Sequence, residues 1–405
     1  MSAQALGILE RLVAQPTIAG RSNEALIAEL AERLGALGAT VRVLESVRED
    51  ARNLHAVLGP AEAAGGILFA GHSDVVDVEG QPWTRDPFAL KVDGGRAFGR
   101  GSADMKGFIA ALLAALEDRG GSFAGRLRRP IHVAISSDEE LGCRGVGPLL
   151  DTLAELPVRP AWALIGEPTE LRVFDRHKGK AAARIEWRGL AAHSSVPDDG
   201  VNAVAHAGLL ITRLLAFADE LRAGPLDAAF RAPSSTVGIG PVHGGVAVNI
   251  VPDRCRLDVE LRTVPALDPE ELMGRVQALA SESQAAMRVE HESCQVTVEP
   301  LSSYPGLAPV GDGAAGSGAA GRCAAALEGA LAGLGDGRSE WGAADFGTEA
   351  GLYARALGIP VLVCGPGSMR DAHRADESVA VDQLDAAETM ITRLGEALTE
   401  PDGEA

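Results

Sequence analysis

Three short apolar runs in the first half of the chain each stop at a histidine or at acids. "GGILFAGHSDVV" ends at His72 and Asp74, "RPIHVAISSDEE" at Asp138, Glu139 and Glu140, and "PAWALIGEPTE" at Glu167. Each reads as a buried strand that runs into a polar loop. "DMKGFIAALLAALED", between the first two, is a helix by its length and its Ala/Leu content. The pattern returns in "GIPVLVCGPGSMRDAH", ahead of a closing helix near 381–398. Strands alternating with helices predict an α/β fold with a mixed, mostly parallel sheet. At the N-terminus Leu6, Leu9, Leu12 and Val13 fit one face of a further amphipathic helix.

The middle of the chain differs. "KAAARIEWRGLAAHSS" predicts a strand and "NAVAHAGLLITRLLAFADEL" a helix. "STVGIGPVHGGVAVNIVPDRCRLDVELRT" predicts two strands around a Gly-rich turn. "PEELMGRVQALASESQ" adds a helix and "CQVTVEPL" a last strand. These elements make a small α+β sandwich over 180–299, inserted into a domain formed by 1–179 and 300–405. "GDGAAGSGAAG" (311–321) reads as a flexible loop before a helix.

Composition narrows the function. With 37 basic and 56 acidic residues the net charge is −19, which disfavours nucleic acid or an anionic membrane as partner. No apolar run reaches the length of a membrane span, and the start lacks the pattern of a secretory signal. The five cysteines are scattered and never form a CxxC pair, as expected of reduced thiols in a cytoplasmic protein. A metal site here must therefore rest on His, Asp and Glu.

Such residues stand where an α/β sheet collects its ligands, beyond the carboxyl ends of the strands. His72, Glu140, Glu167 and His373 follow apolar runs, and Asp104 precedes the long helix in "GRGSADMKG". Taken singly, Asp104 reads equally as a helix cap, and "DEE" as a solvated turn. Together they are too many for one tetrahedral zinc with an open position. They suit two zinc ions if Asp104 bridges, because three carboxylates and a hydroxide offset the charge of two Zn2+.

"GHSDVVDVEGQPW", "GRGSADMKG", "DEELGCRG", "GEPT", "HKGK", "AAHSSVPDDGVNA", "NIVPDRC" and "GTEAGLY…GPGSMRDAHRADE" resemble, in order and over nearly the whole chain, the two-zinc family of aminoacylases, carboxypeptidases and acetylornithine deacetylases. The motifs "GTEAG" and "GPGSMRDAHRADE" resemble acetylornithine deacetylases most. The resemblance implies a zinc-peptidase-like catalytic domain and an inserted lid or dimerisation domain. It implies that His72 and Glu167 hold one Zn2+, Glu140 and His373 the other, with Asp104 between and Co2+ an acceptable substitute. Asp74 then orients His72, and Glu139 is the general base for the attacking water. The peptide after Asp104 is expected to be cis. His193 is expected to reach the partner subunit's active site in a homodimer built through the inserted domain, donating to the oxyanion.

Substrate contacts are expected from Arg262, whose planar fork suits a carboxylate, from Asn249, and from Thr348 and Glu349, the latter facing an ammonium; the alternatives are a surface strand arginine, a turn role for Asn249 and a helix-start acid at Glu349. The implied activity is deacylation of an N-acyl amino acid, N2-acetyl-L-ornithine foremost, in arginine biosynthesis. A dipeptidase or carboxypeptidase, an acetylcitrulline deacetylase and a deformylase are alternatives. A non-catalytic, metal-stabilised interaction protein is a more distant one, since it has no use for Glu139.

Overall fold

Ile131–Ser136, Ile67–His72, Trp162–Ile165 and Val361–Val363 lie side by side and parallel. Every residue of these strands is buried, which is why they read as continuous apolar runs rather than as an alternation. They form the middle of an eight-stranded sheet in a computed structural model that describes residues 3–117, 124–309, 318–334 and 341–399. The sheet is mixed. On one side Arg52–Leu58 joins Ile131–Ser136 antiparallel, and Thr40–Glu45 joins it in turn. On the other, Val173–His177 pairs antiparallel with Val361–Val363, and Trp341–Ala344 closes the order. These outer strands carry no long apolar run, and Thr40–Glu45 is mostly exposed.

The chain divides into two units. One comprises Met1–Arg176, Pro309–Ala343 and Thr348–Ala405, and the other His177–Ala308 with Ala344–Gly347. In the first, helices Ala3–Val13 and Val381–Ala397 pack against Lys106–Glu117. Leu9, Leu12, Phe108, Ile109, Leu113, Leu384 and Met390 join Phe69 and Val133 of the sheet in one core. Lys106–Glu117 is buried along its whole length up to Leu116. Its buried Lys106 ammonium donates to the carbonyls of Leu12 (3.0 Å) and Gln15 (2.7 Å), which ties the first helix to it. Gly166 follows the strand Trp162–Ile165. A Cβ there would lie 2.0 Å from the Phe108 ring, so glycine alone lets the chain pass this helix and present Glu167.

His55 and His132 stack on neighbouring strands, Nε2 to Nδ1 at 3.2 Å. Burial pushes them down to about 3 and about 4, so both are neutral components of the core. Among the described residues no helix is long and apolar enough to cross a membrane, and all five cysteines are buried and free.

The second unit is an antiparallel sheet in the order Thr236–Gly244, Arg254–Thr263, Gly179–Arg188, Gln295–Tyr304. Gly179–Arg188 and Arg254–Thr263 alternate buried and half-buried residues, the signature of a sheet covered on one face. Ala183, Ile185, Trp187, Leu257, Val259 and Leu261 meet Leu210, Leu214 and Phe217 of helix Ala203–Arg222, and Leu272 and Val276 of helix Pro269–Glu290. Asn202 and Asp268 cap these helices through their side chains. The second helix runs further than the "PEELMGRVQALASESQ" pattern suggests. Of the expected 311–321 loop, residues 311–317 lie outside the described residues, and Ala319–Leu331 is helical.

Candidate metal centre

Parallel strands put their carboxyl ends on one edge, and the first unit assembles its site there. His72 is the last residue of Ile67–His72, and Glu139 and Glu140 follow Ile131–Ser136. Glu167 follows Trp162–Ile165, and His373 lies on the loop beyond Val361–Val363. Asp104 lies two residues before the start of helix Lys106–Glu117, and the Asp104–Met105 peptide is cis. His72 Nε2 stands 3.1 Å from Asp104 Oδ1, while His373 Nε2 stands 3.2 Å from Asp104 Oδ2. The two carboxylate oxygens of Asp104 thus face two different histidines. His373 Nε2 also lies 3.0 Å from Glu140 Oε2. One atom each of His72, Asp104 and Glu140 falls within 4.8 Å of the others.

The surrounding contacts fix these groups. His72 Nδ1 is 2.9 Å from the main-chain carbonyl of Asp74, which can only accept; Nδ1 therefore carries the proton and Nε2 faces Asp104. The Asp74 carboxylate is turned to other work. Its Oδ1 and Oδ2 accept the N–H groups of Glu139 and Glu140, each at 3.1 Å, whereas Oδ1 is 3.6 Å from His72 Nδ1. Asp74 orients the histidine mainly through its backbone and the glutamate loop through its side chain. Asp138 is the third acid of that loop. It has a left-handed backbone (φ 52°) and accepts the Gly20 N–H at 2.9 Å and the Arg48 guanidinium at 2.7 Å. The three consecutive acids therefore have separate partners. Glu139 Oε1 accepts the Cys143 thiol at 3.3 Å, and the Ser136 hydroxyl donates to Glu349 Oε2 at 2.9 Å.

So many carboxylates in one buried place repel one another. Burial, then the charge of Asp104, pushes Glu140 up to about 8. Burial, Asp104 and Glu139 push Glu167 well above the carboxylate range, and burial raises Glu139 as well. His373 is raised to about 11 by its hydrogen bonds to Asp104 and Glu140. At His72 burial opposes the proton, but the hydrogen bonds to Asp104 and Asp74 outweigh it and raise the ring well above its ordinary value. The cluster needs positive charge, and it holds imidazole and carboxylate donors suited to zinc or cobalt. The residues therefore fit the divalent ions that the resemblance implies.

The remaining candidates divide between the units. Thr348 and Glu349 belong to the first. The Thr348 hydroxyl accepts the Ala350 N–H at 3.0 Å, at the start of helix Ala350–Leu357. Glu349 is buried, and its Oε1 has no hydrogen-bond partner among the described residues. His193, Asn249 and Arg262 belong to the second unit. There the Ser194 N–H donates to the Asn249 carbonyl at 3.1 Å, which brings the His193 and Asn249 segments together. The Arg262 fork is already engaged, Nε and Nη2 with Glu260 at 2.9 and 3.2 Å and Nη1 with the Tyr304 hydroxyl at 3.3 Å.

Comparison with known proteins bears on the family and the fold. Residues 68–397 match the model of peptidase family M20/M25/M40. The acetylornithine deacetylase of Edwardsiella ictaluri (strain 93-146) is 31% identical over 401 residues, 96% of each chain. A tripeptidase from Staphylococcus aureus subsp. aureus Mu50 has the same fold, with a TM-score of 0.72 at 21% identity over 98% of each chain. So does a Bacillus subtilis protein described as a dinuclear metal-binding peptidase, with a TM-score of 0.64 at 15% identity over 96% of each chain.

The charge balance predicts how the metal-free protein responds to pH. Glu140, raised from 4.5 to about 8, destabilises the fold increasingly as pH rises through that interval. His373, raised from 6.5 to about 11, gives a stabilising contribution that is full below 6.5 and is lost as pH rises toward 11. Both act in the same direction, so the melting temperature of metal-free protein should fall between about pH 5 and about pH 8. Because ligands must lose protons to bind, the increment from added zinc should grow over the same window. A metal-free melting temperature that rises through this window, with no zinc increment at its upper end, would contradict the assignment.

Proposed function

We propose that this chain, which belongs to peptidase family M20/M25/M40, removes the acyl group from an N-acylated amino acid, N2-acetyl-L-ornithine foremost. It is a hydrolase of amide bonds. Full-length similarity to an acetylornithine deacetylase supports the finer reading. The observation that carries the chemistry is the Asp104 carboxylate, one oxygen toward each of two histidines, with Glu139 on the adjoining loop.

In this reading His72 and Glu167 hold one divalent cation, Glu140 and His373 a second, and Asp104 both. Two zinc ions so held would polarise the scissile carbonyl and acidify a water molecule. Glu139 takes a proton from the attacking water as its oxygen bonds to the carbonyl carbon. It then gives that proton to the leaving nitrogen as the C–N bond breaks, which yields acetate and ornithine. Burial raises Glu139 above the ordinary carboxylate range, making it a stronger proton acceptor. Asp74 holds Glu139 and Glu140 by their amides while the charges change.

His193 supplies the oxyanion donor from a second copy of the chain. Its Nδ1 accepts the Ser195 N–H at 3.1 Å, so the neutral ring carries its proton on Nε2, where it is available to donate. Val246 and Val248, 83% and 99% exposed, lie on the same unit and offer apolar surface for a homodimer. A cytoplasmic place in arginine biosynthesis completes the proposal.

Assay of the zinc enzyme on N-acetyl and N-formyl amino acids, N-acetylcitrulline and dipeptides should give the highest kcat/KM on N2-acetyl-L-ornithine. Glu139→Gln should lower that value about 10²–10⁴-fold. Better turnover of a dipeptide, or a near-normal Glu139→Gln enzyme, would overturn the substrate or the base respectively. His193→Ala should reduce turnover about 10²–10³-fold. Mixing it with Glu139→Ala chains after dissociation should restore activity, since one site then has both residues. Demonstrated subunit exchange without recovery rules out donation from the partner.

A further inference from the structure

The "GRGSADMKG" segment turns sharply before its helix, with Gly101 in the left-handed region (φ 82°). A Cβ at Gly101 would lie 2.7 Å from Val75 Cγ1 and 3.0 Å from the Lys106 side chain. The turn aims three main-chain N–H groups at a single carboxylate, that of Glu377. Oε1 accepts from Ala103 (2.9 Å) and Asp104 (3.0 Å), and Oε2 accepts from Gly101 (3.1 Å). Oε2 also receives Arg100 Nη1 at 2.6 Å. Both side chains are removed from water, Arg100 at 0% and Glu377 at 1% exposure.

The other arm of Arg100 leads to the second histidine. Nη2 donates to Gln81 Oε1 at 2.5 Å, and Gln81 Nε2 donates to the His373 carbonyl at 3.3 Å. The Trp83 indole N–H, donating to the same Gln81 oxygen at 3.1 Å, fixes which way that amide points. Hydrogen bonds thus run from the Asp104 N–H through Glu377, Arg100 and Gln81 to the main chain of His373. Glu377 and His373 share one loop, so the covalent chain closes the circuit.

A buried ion pair is weak evidence for stability, because apolar residues of the same shape often serve as well. Apolar residues cannot accept three amides, and this geometry uses all three. We infer that Glu377 is a positioning residue. Through this circuit it holds Asp104 and His373 at a fixed separation and so sets the affinity of the metal position they share. The inference rests on the reading of Asp104 and His373 as metal ligands.

The test measures zinc affinity of the full-length protein by competition with a chromophoric chelator, together with melting temperatures of metal-free and zinc-loaded samples. Glu377→Gln should bind at least one zinc about 10–100-fold more weakly, the usual effect of losing a residue that orients a ligand. It should also show a smaller zinc-induced rise in melting temperature. Glu117→Gln, which breaks the 2.9 Å pair with Arg33 in the same unit, is the control. It should lower both melting temperatures and leave the increment unchanged. If Glu377→Gln fails to fold, Glu377→Asp takes its place with the same expectation. It keeps the charge opposite Arg100 but is too short to accept all three amides. A folded Glu377 variant with wild-type zinc affinity and an unchanged increment would overturn the positioning role. If the wild-type protein itself bound no zinc, the metal reading would fail instead.

Discussion

The repulsion among buried carboxylates at the edge of the parallel sheet is the constraint around which the first unit is arranged. Asp74, Asp104 and Glu167 are almost fully buried, and Glu140 is nearly so. Buried carboxylates usually resolve such crowding by pairing with Lys or Arg. Here the hydrogen-bonded cations at Asp104 and Glu140 are histidines, which a divalent ion can replace as partner. Arginines are used one layer out, where Arg48 holds Asp138 and Arg100 holds Glu377. The centre is thus left for metal, while the loops that carry it are fixed by permanent charges.

Much of this was legible in the sequence because a fully buried strand has a plain signature. The four central strands are buried throughout and mostly apolar, so their ends, and the histidine and acidic residues at those ends, could be located directly. The outer strands were not legible. Thr40–Glu45 is mostly exposed, and Val173–His177 carries Asp175 and Arg176. The detailed use of each polar side chain was also hidden. Asp74 was expected to orient His72; its carbonyl meets that ring while its carboxylate accepts two amides, and an amide leaves no mark in the sequence. Glu377 stood within "HRADE" with no role for the same reason. A signal was available for Arg262. Glu260 lies two residues before it on the same strand, and alternate residues share a face, so the pair was predictable.

The proposed site residues are divided between the two units of the chain. Every proposed metal ligand and Glu139 lie in the first unit, whereas His193, Asn249 and Arg262 lie in the second. A tripeptidase and an acetylornithine deacetylase share this fold or family with the chain. The proposed metal ligands and Glu139 thus share one unit, and substitutions at Asn249 or Arg262 in the other leave that set of residues unchanged. Thr348 and Glu349 lie in the first unit, and Glu349 is a buried carboxyl beside the strand end at Ser136 whose Oε1 has no partner among the described residues.

The most direct test of the account is the location of metal in zinc-loaded crystals by anomalous scattering. Two peaks per chain are predicted, about 3.5–4 Å apart. One should be bound by His72 and Glu167, the other by Glu140 and His373, and each by one oxygen of Asp104. A single peak in fully active enzyme, or two peaks with Asp104 on only one of them, would contradict the shared carboxylate on which the rest depends.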